Sequence, residues 1–338
     1  GTKEHWLLDL ETVQIAPHRV LGGGSYGVVV EGAISGLPVA VKMAAQRVDV
    51  GQAKQVSSMM TELRMLRQLR HPNIAMFFGA VVDTCLCEIA IVLERVCGPT
   101  LEAYVEGPET ANKEDWAIEA NRFSVIFGVC RALQHLHSHT PPIVHGDLKP
   151  RNILVEPFKG QCAGSTSVCP KLVDFGLSRI VSGRSKAMGG SLAWMAPELL
   201  QEHPSARSPS TAADAFSFGR IVLFTMSGAR PYEDMPRSVI RELMRAGDTQ
   251  VPHPPADATR LVHACWQVAV ICMLDEVEDR PGLREVGSQL LAIRDLPHLH
   301  DVISGVDPSS IGGPVPKQEL QPWSRGAIVV RQALAGAS

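Results

Sequence analysis

The sequence predicts an α+β protein of two lobes, a small β-rich N-terminal lobe and a larger helical C-terminal lobe. Strand-forming runs fill the first hundred residues, and after Cys97-Gly98-Pro99 apolar residues recur at the three- and four-residue steps of helices. The chain has 338 residues, which suits two units at about 150 residues per domain. We therefore expect a cleft between the lobes, where ligands commonly bind.

Composition excludes several classes of protein. Hydrophobic residues make up 45% and charged residues 20%, as in globular rather than disordered chains. The net charge of −3 provides no global positive field for nucleic acid or an anionic membrane. The longest apolar stretch, residues 265–274, is about half of the ~20 residues that a bilayer helix needs. We expect neither a nucleic-acid partner nor a membrane span.

The cysteines and the first residues bear on the compartment. Eight cysteines at irregular spacing fit free thiols in a reducing compartment better than a disulfide scaffold or a zinc site. Residues 1–5 lack both Met and the apolar core of a signal peptide, which suits the cut end of a longer chain. We expect a soluble, cytoplasmic protein. His137 and His139 fit a polar helix end better than a metal site, because no other ligand has matching spacing.

The elements of the N-terminal lobe follow from their patterns. The runs 28–30 and 39–41 are β-branched and flank the turn cluster Ser35-Gly36-Leu37-Pro38, which predicts a hairpin. Apolar residues at helical spacing predict an amphipathic helix over 53–69, ended by His71-Pro72-Asn73. Further strands are expected at 74–82 and 89–93.

The C-terminal lobe is predicted to be helical. Phe123 to His137 place their apolar residues on one face of a long helix. Further helices are expected at about 212–227, 259–274 and 283–294. The tail from about 297, with Gly312-Gly313-Pro314, is expected to be loosely packed.

A glycine-rich stretch lies at 22–27. Its sequence Gly-Gly-Gly-Ser-Tyr-Gly fits G-x-G-x-x-G, in which backbone N–H groups can approach phosphate oxygens. A flexible turn is an equally good interpretation of the pattern alone. A dinucleotide-binding fold, and hence an NAD(P)-dependent oxidoreductase, needs a helix directly after the glycines, but strands follow Gly27 here. The context favours a phosphate-binding loop over a β-hairpin.

Lys42 ends the second strand of that hairpin. Such a lysine usually extends to solvent. The predicted helix offers Glu62 as a partner, and an ion pair between the two would fix the ammonium group against nucleotide phosphates. Several arginines lie on the same helix, so Glu62 could be one charge among several. The motifs that follow decide whether the ion pair with Lys42 is the better interpretation.

Two polar motifs between apolar runs carry the chemistry. In His145-Gly-Asp-Leu-Lys-Pro-Arg-Asn152, Asp147 can accept a hydroxyl proton and Lys149 can neutralise a moving phosphoryl group. Asn152 offers a neutral oxygen to a hard cation such as Mg²⁺. Asp174-Phe175-Gly176 follows a strand-like run and adds a second metal-binding carboxylate.

In this order and spacing the motifs resemble those of eukaryotic protein kinases. The resemblance runs from Trp6 to Leu296. It includes Ala196-Pro197-Glu198, Asp214 in a later helix and Arg280, and it implies that Glu198 pairs with Arg280 while Asp214 holds the catalytic-loop backbone. Residues 6–9 and 190–198 resemble the tyrosine-kinase-like group, which includes Raf-like and mixed-lineage-like Ser/Thr kinases.

The resemblance implies a bilobal protein kinase fold, with flank 1–14, kinase domain 15–296 (N-lobe about 15–95, C-lobe about 98–296) and tail 297–338. It implies catalytic roles for Asp147, Lys149, Lys42 and Glu62, and metal binding by Asn152 and Asp174. Leu93 is the expected gatekeeper. The other implied nucleotide-binding residues are Leu21, Gly22, Gly24, Gly27, Val29, Ala40, Lys42, Glu94, Val96 and Leu154. The expected hydrophobic spine comprises Leu66, Phe77, His145 and Phe175.

Two departures from the family pattern stand out. Gly146 replaces the usual Arg of H-R-D, so a phosphate on the activation loop has one basic partner fewer, and activity is expected without phosphorylation of Ser182 or Ser185. Ser191 lies where the family contacts the base. Residues 156–170 form a long connection, interpreted as a surface insertion.

We expect an active Ser/Thr protein kinase that uses ATP and Mg²⁺ on a protein substrate. The alternative is a pseudokinase or scaffold that keeps the fold without turnover. Loss of a metal-binding or base residue would favour it, and none is lost. The sequence leaves the oligomeric state open.

Overall fold

The computed structural model describes residues 6–24, 27–43, 59–83, 88–107, 115–159, 166–180, 192–200 and 210–295. These residues form the predicted bilobal α+β fold, with an antiparallel sheet first and a helical part after it. The predictions for Ser182, Ser185, Ser191 and the tail 297–338 fall outside the described residues. No helix in the described part is long and apolar enough to cross a membrane.

The N-terminal lobe is built on one antiparallel sheet of order β1-β2-β3-β5-β4. Its strands are β1 (Val13–Gly24), β2 (Gly27–Ile34), β3 (Leu37–Met43), β4 (Phe77–Asp83) and β5 (Glu88–Glu94). The predicted β2–β3 hairpin is confirmed, with Val30 opposite Val41. Its turn has positive φ at both Ser35 (48°) and Gly36 (84°), the conformation of tight hairpin turns.

The strand period of two divides the side chains of β3. Val39 and Val41 are fully buried in a valine-rich cluster on one face of the sheet, together with Val30 and Val92. The alternate residues of β3 therefore lie on the opposite face, which carries Lys42. This is the face against which the helix bearing Glu62 packs.

That helix, α1, is helical over residues 59–66 in the described part. It ends earlier than the predicted 53–69, because the hydrogen bonds change from the α-helical to the tighter 3₁₀ pattern before His71. Gln68 N donates to Met65 O, and Leu69 N donates to Leu66 O. Residues 53–58 of the prediction lie outside the described residues.

The strand predicted at 74–82 begins later, at Phe77. Ile74 and Ala75 pair with the other lobe instead: Ala75 N donates to Leu172 O at 3.0 Å, and Leu172 N donates to Asn73 O at 2.8 Å. The segment after α1 is thus fastened to the C-terminal lobe, a long-range pairing that strand propensity does not encode.

The N-terminal flank extends the sheet along β4. Leu8 N donates to Ala80 O at 2.9 Å and Ala80 N donates to Trp6 O at 2.8 Å. Gly79 allows this approach, since a Cβ there would lie 2.7 Å from Trp6 O. The guanidinium carbon of Arg67 lies over the Trp6 ring, 4.8 Å from its centroid. This cation–π contact links the flank to the turn that follows α1.

The C-terminal lobe contains α2 (Leu101–Glu106), α3 (Asp115–His137), α4 (Thr211–Ser227), α5 (Arg237–Arg245), α6 (Arg260–Cys272) and α7 (Leu283–Arg294). The helices predicted at about 212–227, 259–274 and 283–294 are confirmed to within two residues at each end, whereas α3 begins eight residues before the predicted Phe123. α4 is buried along most of its length because it packs between α3 and α6. Ser210 caps its first turn through Ala213 N, and Gly228, at φ 75°, ends it.

The stretch 156–170, predicted as a surface insertion, is largely regular structure. β7 (Ile153–Lys159) pairs with β8 (Thr166–Leu172) up to the Lys159–Thr166 pair. The hairpin is anchored to the end of β5, where Lys171 Nζ donates to Glu94 at 2.8 Å, and to the segment after it, where Glu156 Oε1 accepts from Cys97 N at 3.0 Å. Its tip, 160–165, lies outside the described residues. A short pair, β6 (Ile143–Val144) with β9 (Arg179–Ile180), frames the site.

A histidine cluster joins the segment after α1 to α3. The His71 ring stacks on His135 at 5.2 Å, and burial together with the charges of His135, Arg131 and Lys171 lowers the pKa of His71 from 6.5 to about 4.

We expect stability to fall as the pH drops from about 6.5 toward 4, because the unfolded state takes up a proton at His71 that the folded state refuses. Solvent screening of this half-buried ring limits its share to about 1 kcal/mol. Urea denaturation at pH 7.5 and 5.0 measures the effect. His71→Asn should weaken the pH dependence, and an unchanged dependence would contradict the assignment.

Candidate active site

Lys42 joins the two lobes by two ion pairs. Its Nζ lies 2.6 Å from Glu62 Oε2 on α1 and 2.7 Å from Asp174 Oδ1 after β8. The side chains of Lys42 and Glu62 are 8% and 1% exposed, so the pair is shielded from water. The structure therefore brings together three residues that lie 20 and 132 positions apart in the chain.

The charges of this cluster partly oppose one another: burial raises the pKa of Glu62 and the charge of Asp174 adds to this, while Lys42 acts in the opposite direction. Burial alone would lower the pKa of Lys42, but the carboxylates of Glu62 and Asp174 outweigh it and raise that pKa. Burial would raise the pKa of Asp174, yet the charge and hydrogen bond of Lys42 outweigh it and hold that pKa below its usual value. Lys42 is consequently a cation and Asp174 an anion at neutral pH.

Asp147 lies in the loop that follows β6. Its Oδ2 accepts a hydrogen bond from Lys149 Nζ at 2.6 Å and another from Asn152 Nδ2 at 3.3 Å. Asn152 Nδ2 also donates to the Asp147 carbonyl at 2.8 Å. The three predicted residues therefore form one network, which fixes the orientation of the Asp147 carboxylate.

Asp214 of α4 holds the backbone of this loop. Its two carboxylate oxygens accept from His145 N at 2.8 Å and Gly146 N at 3.0 Å. Burial opposes ionisation, but the hydrogen bond and charge of His137 and the N–H of Gly146 lower the pKa of Asp214. Gly146 has φ 76°, a left-handed conformation that glycine adopts without strain, so this substitution also suits the backbone geometry.

Sequence reasoning missed the role of His137. Its Nε2 lies 2.9 Å from Asp214 Oδ2, so the helix end that was predicted to be polar supports, through Asp214, the loop that carries Asp147. Helical spacing could not reveal this, because the partner is 77 residues away. Among the described residues no group of three His, Cys, Asp or Glu side chains is arranged to hold a metal ion.

Asp174 and Phe175 adopt a specific arrangement. Asp174 has φ 65°, an uncommon conformation for a non-glycine residue. Phe175 is 1% exposed and its ring lies 5.2 Å from that of His145. Leu66 and Phe77 belong to the same buried cluster as Phe175, which agrees with the implied spine.

The implied adenine-binding residues line the junction of the lobes. Leu93 is buried and pairs with Ala40 across β3 and β5. The Val96 carbonyl accepts from Arg95 at 2.8 Å, while the Val96 N–H has no partner among the described residues and is available to a ligand acceptor. Val29 and Leu154 are half-buried, which leaves apolar surface for a ring.

The glycine-rich stretch forms the end of the β1–β2 hairpin. Gly22 and Gly23 pair with Val29 and Val28, and Gly24 lies opposite Gly27, so strands rather than a helix follow the glycines. The neighbouring Leu21 is 38% exposed. Ser25 and Tyr26 lie outside the described residues.

The donor set suits a hard cation. Lys42 and the Gly176 N–H both contact Asp174 Oδ1, which leaves Oδ2 as the oxygen available to a ligand. Asn152 uses its amide nitrogen toward Asp147, which leaves its carbonyl oxygen. Carboxylate and amide oxygens are ligands that Mg²⁺ prefers, usually together with phosphates and water.

An ion pair holds Glu198, the last residue of the activation segment (residues 174–198). The two guanidinium nitrogens of Arg280 lie 2.7 and 3.0 Å from the Glu198 oxygens. The guanidinium carbon of Arg280 also lies 5.0 Å from the centroid of the Phe216 ring, which belongs to α4. The pairing implied by the family resemblance is present in the geometry.

A family model described as protein kinase domain matches residues 15–290. The chain belongs to the protein kinase family. The boundaries expected for the kinase domain, 15–296, stay a prediction.

Curated relatives agree with the family. The kinase is 32% identical over 311 residues to the probable serine/threonine-protein kinase SIS8 of Arabidopsis thaliana, covering 89% of this chain and 26% of the relative. It is 30% identical over 267 residues to serine/threonine-protein kinase CTR1 of the same plant, covering 77% and 30%. A mitogen-activated protein kinase kinase kinase of Drosophila melanogaster is 26% identical over 294 residues, covering 84% and 23%.

These names accord with the predicted tyrosine-kinase-like group of Ser/Thr kinases. The chain spans less than a third of the length of each of the three relatives. Membership in the kinase family implies the use of ATP.

Proposed function

We propose that this chain is an active serine/threonine protein kinase that transfers the γ-phosphoryl group of ATP to a hydroxyl of a protein substrate. The observation that carries the proposal is the buried Lys42, paired at once with Glu62 and Asp174. Catalysis of phosphoryl transfer rests on positioning and charge neutralisation, and this arrangement orients a cation toward bound phosphates.

The proposed reaction uses the Asp147 network. Asp147 accepts the proton of the substrate hydroxyl while the hydroxyl oxygen attacks the γ-phosphorus of ATP. The bond between that phosphorus and the oxygen that leaves with ADP breaks. Lys149, 2.6 Å from Asp147, neutralises charge on the transferred group. Asp214 keeps the loop backbone in place during the step.

A bound Mg²⁺ would supply neutralisation of phosphate charge at this site. We propose that Asn152 and Asp174 hold it, through the oxygens that their other contacts leave available. In this proposal the phosphates are covered by the glycine-rich hairpin end, through Leu21, Gly22, Gly24 and Gly27. The adenine is enclosed by residues at the junction of the lobes: Val29, Ala40, Leu93, Glu94, Val96 and Leu154.

A pseudokinase or scaffold is the second candidate. The geometry favours it less, because all five residues are present and paired: Lys42 contacts Glu62 and Asp174, and Asn152 contacts Asp147. A radiolabelled-ATP assay on a generic protein substrate, with and without Mg²⁺, separates the two. Absence of Mg²⁺-dependent transfer would favour the scaffold.

We propose Ser/Thr rather than Tyr as the acceptor, because Lys149 two residues after Asp147 resembles the Ser/Thr kinase pattern. The names of the curated relatives support this choice. Phosphoamino-acid analysis of the product tests it, and phosphotyrosine as the main product would contradict it. We propose an intracellular role in signalling, and the irregular cysteine spacing supports the reducing compartment that this role needs.

We expect Asp174→Ala to lose both Mg²⁺-dependent nucleotide binding and transfer, because it removes a cation ligand and one of the two anions beside Lys42. Nucleotide titrations with and without Mg²⁺ measure this. As a matched control, Asp257→Ala removes an exposed carboxylate elsewhere and should bind like the parent. Parental Mg²⁺-dependent affinity in Asp174→Ala would exclude the proposed metal ligand.

A further inference from the structure

α5 carries a stripe of three exposed arginines. Arg237, Arg241 and Arg245 are spaced four residues apart, and each step advances the side chain by about 40° around the helix. The three therefore lie along one ridge. We call them the α5 arginine stripe.

The stripe borders the end of the activation segment. On the adjoining face of α5, Ile240 and Met244 are buried against Leu192. At the end of the stripe, Arg245 Nε lies 3.4 Å from the carbonyl oxygen of Leu200. The arginines thus flank residues 192–200. This segment follows the proposed metal-binding residues in the chain and is held by the ion pair between Glu198 and Arg280.

Two arginines of the stripe keep their charge available. Within the described residues neither Arg237 nor Arg241 forms an ion pair, whereas the nearby Arg230 is engaged by both oxygens of Glu106 at 2.7 Å. Glu242, the one acidic residue of α5, is turned about 100° from Arg241. The ridge therefore presents net positive charge, although the whole chain has a net charge of −3.

The platform under the stripe is rigid. Arg220 of α4 is 2% exposed and lies over the rings of Phe216 and Tyr232, at 5.5 and 4.8 Å. Arg220 donates to the Tyr232 hydroxyl, which donates to the Asp248 carbonyl, each at 2.9 Å. Asp248 lies three residues after α5 and its N–H donates to the Leu243 carbonyl at 2.9 Å, so this chain of contacts fixes the end of α5 to the buried α4. Preorganised charges bind a partner with less loss of conformational entropy than mobile ones.

We propose that the α5 arginine stripe binds an acidic segment of the protein substrate and so sets substrate preference. This rests on the proposed kinase function. A protein substrate fits better than other polyanions, because the stripe adjoins the segment that leads from the metal-binding region rather than a separate face of the molecule. Exposed arginine–carboxylate contacts of this kind steer and align a partner.

Two peptides test the proposal. They share one acceptor serine and differ only in flanking residues, four glutamates in one and four glutamines in the other. We expect the glutamate peptide to have a KM at least about tenfold lower at low salt, equivalent to ~1.4 kcal/mol. The difference should shrink in 0.5 M NaCl, because salt screens exposed charges.

Arg237→Glu/Arg241→Glu should remove this preference through KM while leaving kcat for the glutamine peptide unchanged. The matched control, Arg260→Glu/Arg284→Glu, makes the same change of net charge at exposed positions of α6 and α7 and should keep the preference. Retention of the preference in the α5 variant, or its loss in the control, would overturn the proposal.

Fluorescence anisotropy with a labelled glutamate peptide separates this proposal from the proposed catalysis. Stripe-dependent binding without turnover would support the docking surface and count against the kinase function. Turnover of both peptides with equal KM would do the reverse. If single-stranded RNA displaced the peptide at lower concentration than unlabelled peptide, the occupant would be a nucleic acid and the proposal would be wrong.

Discussion

Asp147→Asn is expected to lower phosphoryl transfer by about 10²–10⁴-fold, the usual contribution of a general base. The amide has nearly the same shape as the carboxylate but cannot accept the hydroxyl proton. Lys149 and Asn152, which contact Asp147 at 2.6 and 3.3 Å, would lose a charged partner without an empty space forming. ATP affinity should barely change, because Asp147 acts on the acceptor.

Initial rates of transfer and a nucleotide titration on the same preparation measure the two effects. Asp275→Asn, a similar change at an exposed aspartate, is the control and should retain the parental rate. Transfer by Asp147→Asn at the parental rate would mean that another group accepts the proton. An equal loss of nucleotide affinity would mean that the substitution disturbs the whole loop.

Arg280→Met is expected to lower the free energy of unfolding by about 3–5 kcal/mol, the range for breaking a buried ion pair. The Arg280 side chain is fully buried and that of Glu198 is 8% exposed, so the remaining carboxylate would be left without its cation. Arg280 also donates to the Leu274 carbonyl at 2.7 Å, and this acceptor would lose its partner too. Urea denaturation followed by far-UV circular dichroism measures the loss.

Arg19→Met provides the contrast, because Arg19 is 65% exposed and meets Glu31 at 3.3 Å on the surface. Such pairs contribute about 0–1 kcal/mol. The double variant Arg280→Met/Glu198→Leu should recover part of the loss, since it removes the stranded carboxylate as well. A change below about 1 kcal/mol in Arg280→Met would show that the pair does not brace the lobe.

The predictions that succeeded rest on local pattern. The β2–β3 hairpin follows from β-branched runs and its turn residues, and the long helices follow from apolar spacing and caps such as Ser210. The glycine stretch before a strand was enough to exclude a dinucleotide-binding fold. These features depend on residues that are neighbours in the chain, so propensity and periodicity report them.

The predictions that failed involve partners distant in sequence. Ile74 was placed in a strand, but it pairs with Leu172 of the other lobe. For Ile74 a long-range pairing overrides what the local pattern favours. Residues 156–170 were interpreted as a surface insertion, and the structure adds that most of them form a hairpin anchored by Glu94 and Cys97, which leaves that interpretation a prediction.

The sequence by itself determined which side chains are candidates for chemistry, since the motifs alone pointed to Lys42, Asp147, Asn152 and Asp174. Only the tertiary structure decided how they are held. Three contacts join residues on separate elements: Lys42 with Glu62 at 2.6 Å, His137 with Asp214, and the buried Arg220 with Tyr232. The physical reason is that the charge state and orientation of a buried group depend on what the fold packs against it.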